Sequence, residues 1–286
     1  MSDCRATIEG MCGRYTTTMD PETLYGIFDA VADEPSVPPP GTVEHPPGSG
    51  EYGGDVPRRP PPVQLRERYN IAPTTDVPAI RVRPEDPDDP DSPRRRLLSV
   101  VHWGLVPSWA KDPAVGNRMF NARAESVPDK PAFRRAFARR RCLLPASGYY
   151  EWRKPPAGAP KGTKKQPFYL TPADGSVMAF AGLWEYWRSP EGEPLVSATI
   201  ITTDSVGPLT EIHDRMPLIL PASEWADWLD PANDGDVVGP LLAPPSADLV
   251  AGLELRPVGQ RVGNVRFDDA ELTERVELPE SAALFG

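Results

Sequence analysis

The chain has 286 residues, 39% of them hydrophobic, and a formal net charge of −10. That is enough apolar material for one large domain or two small ones, and its even spread between polar interruptions favours one domain with insertions. No apolar run approaches a membrane span, residues 1–10 lack the charged-then-apolar order of a signal peptide, and three cysteines without CxxC spacing (Cys4, Cys12, Cys142) suggest neither a disulfide framework nor a zinc site.

In chain order, Met11 stands directly before Cys12. If synthesis begins at Met11 and that methionine is trimmed, Cys12 carries a free α-amine and a thiol on adjacent carbons; residues 1–10 are then an extension or a mis-assigned start. The two groups titrate at about 7.7–8.0 and near 8.5, so both nucleophilic forms are within reach at neutral pH. Such a pair condenses with an aldehyde to an imine and closes on it as a thiazolidine. Asp20-Pro21-Glu22 reads as an N-cap, a proline at the first helical position and an acidic first turn, and predicts a helix with Leu24, Ile27 and Phe28 on one face. Residues 29–62 hold ten prolines and almost no large aliphatics, which predicts a flexible insertion. His45 lies there and is given no role.

Strands are expected over 77–82 and 97–103 around an acidic hairpin tip at 84–93. An amphipathic helix is expected over 131–141, with Phe133 and Phe137 four residues apart. Short strands follow at 142–144 and 149–152, then a Gly/Pro/Lys loop at 154–166. Further strands are expected at 167–171, 177–184, 195–203 and 216–220, with a short helix at 206–212 between the last two. Ser223 is placed to cap a helix holding Trp225, Trp228 and Leu229, another helix is expected over 246–252, and residues 266–286 read as an acidic tail. Strands dominate without regular alternation with helices, so the expected fold is α+β with a curved or barrel-like sheet.

Charge is segregated along the chain. Residues 94–170 carry 17 Lys+Arg against 4 Asp+Glu, leaving 14 positive and 37 negative charges elsewhere. A local balance of this kind suits phosphate binding despite the acidic total. Within this framework Glu151 lies in an apolar strand context, where a carboxylate is either paired or held for proton transfer. His213 lies between a helix and a strand with Glu211 and Asp214 near it. A nucleophile, a carboxylate in an apolar setting, a histidine and an amide are the usual parts of covalent catalysis.

Seven motifs occur in order: Met11-Cys12-Gly13-Arg14-Tyr15, Arg68-Tyr69-Asn70-Ile71-Ala72-Pro73, Trp103-Gly104-Leu105-Val106-Pro107-Ser108-Trp109, Asn121-Ala122-Arg123-Ala124-Glu125, Gly148-Tyr149-Tyr150-Glu151-Trp152, Ile212-His213-Asp214-Arg215-Met216-Pro217 and Val262-Gly263-Asn264-Val265. Together they resemble the SRAP family, the SOS response-associated peptidases that cross-link to abasic sites, over residues 11–265. The resemblance implies a single α+β domain with a barrel-like mixed β core flanked by short helices. It also implies a basic groove for single-stranded DNA, and self-attachment to the ring-opened sugar aldehyde without metal or other cofactor. By the same resemblance Cys12 is the nucleophile, Asn121 positions the reacting groups, Glu151 moves protons during imine formation, and His213 assists as the deoxyribose opens. Arg14, Arg123 and Arg215 would hold flanking phosphates, with Trp103 and Trp109 stacking beside the lesion. Self-cleavage using Cys12, Glu151 and His213 would remove residues 1–10. The expected partners are abasic single-stranded DNA and replication-fork proteins, for a monomer in the cytoplasm, nucleoid-associated when bound. A thiol peptidase and a non-covalent DNA-binding module are the alternatives.

Overall fold

Apolar residues recur at every second position along the long strands, and the two faces they define are both covered. The computed structural model describes residues 13–33, 65–86, 88–89 and 91–278. Cys12, the expected extension and residues 34–62 of the expected insertion lie outside the described residues. The elements, in order, are β1 (Tyr15–Thr17), α1 (Pro21–Phe28), β2 (Ala30–Ala32), β3 (Arg68–Ile71), β4 (Asp76–Pro84), β5 (Arg94–Trp103), β6 (Asn121–Arg123) and α2 (Arg134–Arg139). Then come β7 (Arg141–Ala146), β8 (Gly148–Arg153), β9 (Gln166–Pro172), β10 (Met178–Arg188), β11 (Pro194–Asp204) and β12 (Arg215–Pro217). The chain ends through α3 (Trp225–Leu229), α4 (Gly235–Val238), α5 (Ala247–Ala251) and β13 (Leu253–Pro257).

One sheet runs β12-β11-β10-β7-β4-β5-β2, and a parallel pairing of β11 with β5 (Ser197 opposite His102) closes β4, β5, β11, β10 and β7 into a barrel. A second sheet runs β13-β9-β8-β1-β3. Val77, Ala79, Val101, Trp103, Cys142, Leu144, Phe180 and Ile200 share a cluster with Tyr15, Tyr149 and Leu170 of the second sheet. The alternate residues Ile80, Leu98, Leu143, Ala181 and Ile201 pack instead with Leu24, Phe28, Phe137 and Trp228 from the helices. This two-residue period is what one-residue register slips would destroy. The fold is thus α+β and single-domain, with a barrel core and short flanking helices.

Several local expectations shift. In α1, Asp20 caps Thr23 N–H (2.9 Å) and Leu24 and Phe28 are buried, but Ile27 is 41% exposed and lies off the buried face. β2 occupies residues that composition assigned to the insertion. It pairs in parallel with β5 and is followed by Asp33, whose carboxylate accepts from Arg81 and from Ser99 Oγ. Ser223 lies inside a 3-10 turn and makes no cap for α3. Residues 266–278 belong to the fold rather than to a tail: Leu272 is buried with Tyr150, Tyr169, Val258 and Val262. Gly148 is required by close approach, since a Cβ there would stand 2.2 Å from the Tyr169 ring. At Gly104 (φ +149°) a Cβ would meet the Gly116 carbonyl at 2.8 Å, and this backbone contact seats the loop carrying Trp109.

Candidate active site

The strand that follows Cys12 fixes the site. β1 pairs antiparallel with β8, Tyr15 opposite Tyr149, and Tyr150 N–H donates to Arg14 O at 2.9 Å. The backbone at 13–14 therefore runs beside residues 150–151 of β8, where Glu151 is 5% exposed. Thr18 N–H and the Thr18 hydroxyl both meet Ser147 Oγ (3.0 and 2.9 Å), and Thr16 Oγ1 meets the Tyr169 hydroxyl at 2.8 Å. These contacts hold β1 at both ends.

Asn121 opens β6, buried, in parallel register with β11 (Ile200 opposite Asn121, Thr202 opposite Arg123). On the other edge of β11, β12 pairs Asp204 with Arg215. One strand thus sets Asn121, Arg123 and Arg215 at neighbouring positions. His213 precedes β12, and its N–H donates to Leu209 O at 3.0 Å. Arg14, Tyr15, Tyr149, Ile200 and Pro217 pack together, with Trp103 and Phe180, where this corner of the barrel meets β1 and β8.

A cleft of about 650 Å³ is lined by Arg123, Glu125, Lys154, Lys165, Asp204, His213, Asp214 and Arg215. The His213 Nδ1 lies 3.0 Å from Arg215 N and 3.2 Å from Arg215 O. The same backbone residue serves either neutral tautomer, accepting or donating at Nδ1, and Nε2 takes the opposite role. Burial holds the imidazole pKa below its ordinary value; the Arg215 backbone and Asp214 oppose this, while Lys154 and Lys165 add to it. A neutral ring is the form that takes a proton as a general base near pH 7.

The arginines differ in availability. Arg123 is exposed at the cleft. Arg215 is engaged by Asp204 Oδ1 (2.6 Å), Glu125 Oε2 (2.9 Å) and Thr202 O (2.7 Å), so two carboxylates already compensate its charge. Arg14 Nη1 donates to Asn70 Oδ1 (2.9 Å) and Val262 O (2.8 Å). Asn70, 2% exposed, in turn donates to the Val262, Asn264 and Phe267 carbonyls. Asn70 was missed from sequence. The signal was an amide directly before the apolar Ile71-Ala72-Pro73, where burial demands partners. Asp268 was missed too: it accepts from Tyr69 N–H, Asn70 N–H and Arg68 Nε, and so holds the strand that holds Arg14.

The tryptophan expectations divide. Trp109 is 60% exposed, on a loop tied down by Trp187 Nε1 donating to Ala110 O at 2.7 Å. Trp103 cannot stack on a base: it is fully buried, donates Nε1–H to Phe120 O (2.8 Å) and packs edge-on against Tyr15 at 5.3 Å. Cys142 is buried in the barrel, and burial pushes its thiol up to about 12. No helix among the described residues is long and apolar enough to cross a membrane.

The model of the family described as SOS response associated peptidase (SRAP) matches residues 11–265. Abasic site processing protein YoaM of Bacillus subtilis is 34% identical over 265 residues, covering 92% of this chain and 98% of its own. The abasic site processing protein HMCES of Xenopus tropicalis is 32% identical over 185 residues, 57% of this chain and 53% of its own. A crystal structure of a Bacteroides thetaiotaomicron protein superposes with a TM-score of 0.62 at 25% identity, covering 75% of this chain and 88% of that one. A match that begins at Met11 and runs through the strands, cleft and Arg14 anchor described above leaves one conclusion: this chain belongs to the SRAP family.

Proposed function

We propose that this protein processes abasic sites in single-stranded DNA by attaching itself to them through Cys12. The reading rests above all on the Tyr150–Arg14 bond of 2.9 Å, which runs the backbone after Cys12 alongside Glu151. Support also comes from relatives whose names state abasic site processing. In this reading a chain matured to begin at Cys12 adds its α-amine to the C1′ aldehyde of the open sugar and loses water to give an imine. The Cys12 thiolate then adds to the imine carbon, the nitrogen takes a proton, and a thiazolidine results. Glu151 carries protons to and from the departing oxygen and the nitrogen, His213 serves the sugar oxygens, and Asn121 orients the reacting groups. Arg123 meets the phosphates that pass the cleft, Arg14 anchors the strand that follows Cys12 through Asn70 and Val262, and Trp109 offers a face to a flanking base. Where residues precede Cys12, its thiol would attack the Met11 carbonyl with Glu151 and His213 moving the protons: the acyl group passes from the Cys12 nitrogen to sulfur, which frees the α-amine, and water then hydrolyses the thioester to release the preceding residues.

Denaturing electrophoresis with an abasic single strand tests this. The expected result is a shifted band that survives denaturation, is abolished in Cys12→Ala, and maps by mass spectrometry to Cys12 at the start of the chain. A link on any other residue, or an adduct formed by a chain still extended ahead of Cys12, contradicts the proposal.

A further inference from the structure

The cleft has two walls of opposite sign. Glu125, Asp204 and Asp214 form one, and the first two neutralise Arg215. Lys154 and Lys165, the two feet of the β8–β9 loop, form the other; Arg123 stands at the end of β6, two residues before Glu125. The loop itself, residues 154–165, carries Lys154, Lys161, Lys164 and Lys165, four of the six lysines in a chain that otherwise uses arginine 25 times. No acidic residue occurs between Glu151 and Asp174. Among the described residues none of these four lysines makes an ion pair, whereas Arg68, Arg81, Arg140, Arg215, Arg256, Arg261 and Arg275 each do. Lys154, Lys161 and Lys164 are exposed. The loop is pinned at its base by Gln260 Nε2 donating to Lys165 O (2.9 Å) and Gln166 Nε2 donating to Val258 O (2.9 Å).

Lysine offers a compact charge on a flexible stem, suited to phosphates whose positions vary with sequence, where arginine's rigid fork suits fixed bidentate partners. A phosphodiester strand entering the cleft is repelled by the acidic wall and drawn to the lysine wall. We propose that the β8–β9 loop is a phosphate clamp that holds the nucleotides flanking the lesion on one side of the strand, without reading their bases. This rests on the function proposed above and names where the undamaged part of the strand lies.

The test uses the full chain and a single-stranded oligonucleotide carrying a tetrahydrofuran abasic analogue, which has no aldehyde and reports non-covalent binding alone. Each phosphate neutralised on a single strand contributes about 0.7 to the slope of log K against log salt. Replacing all four lysines by glutamine should therefore flatten that slope by about 2.8 if every contact is made, and four arginines in their place should retain it. Shortening the strand from one end, but not the other, should erase the difference between wild type and the glutamine variant. An unchanged slope in a glutamine variant that melts like wild type overturns the clamp and leaves the function standing. A wild-type protein whose binding to this probe ignores salt also overturns the clamp, whereas the function falls only if an aldehyde-bearing abasic strand gives no denaturation-stable adduct at Cys12.

Discussion

At His213, burial lowers the imidazole pKa more than Asp214 and the Arg215 backbone raise it, and Lys154 and Lys165 push in the same direction as burial. Lys154→Gln should therefore raise the His213 pKa measured by NMR titration, while leaving it below the unfolded value of about 6.5. A histidine held neutral by the fold contributes stability that is complete above the unfolded value and is lost as the pH falls through it toward the folded one, because the unfolded chain then binds more protons. Cys142 is the opposite case to an activated thiol. With its pKa pushed up to about 12 by burial it stays protonated at neutral pH, and alkylating reagents followed by mass spectrometry should modify it only after unfolding.

Helices α2 and α3 are both short, and neither could persist alone. They share one stop. Arg141, 2% exposed, donates Nη1–H to Phe137 O and Ala138 O at the end of α2, Nε–H to Trp228 O (2.6 Å), and Nη2–H to Asp230 O and Asn233 O beyond α3. Buried carbonyls at helix ends need partners, and here one guanidinium supplies them for two helices. Desolvation lowers the Arg141 pKa to about 10, still far above neutrality, so the group remains charged. Arg141→Met keeps the volume but strands several carbonyls at about 1–3 kcal/mol each, partly relieved by water. A loss of about 3–5 kcal/mol in urea unfolding is expected. A loss under 1 kcal/mol would show that the helices end without it.

On the scale of the whole molecule, the barrel and the second sheet meet through aromatic contacts of Tyr15 with Trp103 and Phe180 and of Tyr149 with Phe180. The segment after β13 crosses the back of that second sheet. Val276 N–H donates to Pro257 O at 2.9 Å, Leu272 fills the small cluster with Tyr150, and Asp268 holds β3. Truncation after Val265 should remove the Leu272 packing and the Asp268 anchor together. An expected cost of about 2–4 kcal/mol corresponds to a fall in Tm of roughly 5–15 °C, read by calorimetry. Unchanged melting would mean the segment only decorates the sheet.

The sequence alone determined most strands, the helix at Asp20-Pro21, the hairpin between β4 and β5, and the family, because period-two burial and turn chemistry are local and ordered motifs survive without coordinates. It did not determine which polar residues are already occupied. Arg215 and Arg14 read as phosphate ligands until Asp204, Glu125, Asn70 and Val262, up to 248 positions away, are seen to engage them. Trp103 and Trp109 stand in one motif, yet one is fully buried and the other 60% exposed, a difference set by the β5–β11 closure. Composition likewise assigned Asp33 to an insertion and Leu272 to a tail. Their partners Arg81, Ser99 and Tyr150 are brought to them only by the closed barrel and the second sheet, since hydrogen bonds and burial between distant segments leave no periodic trace along the chain.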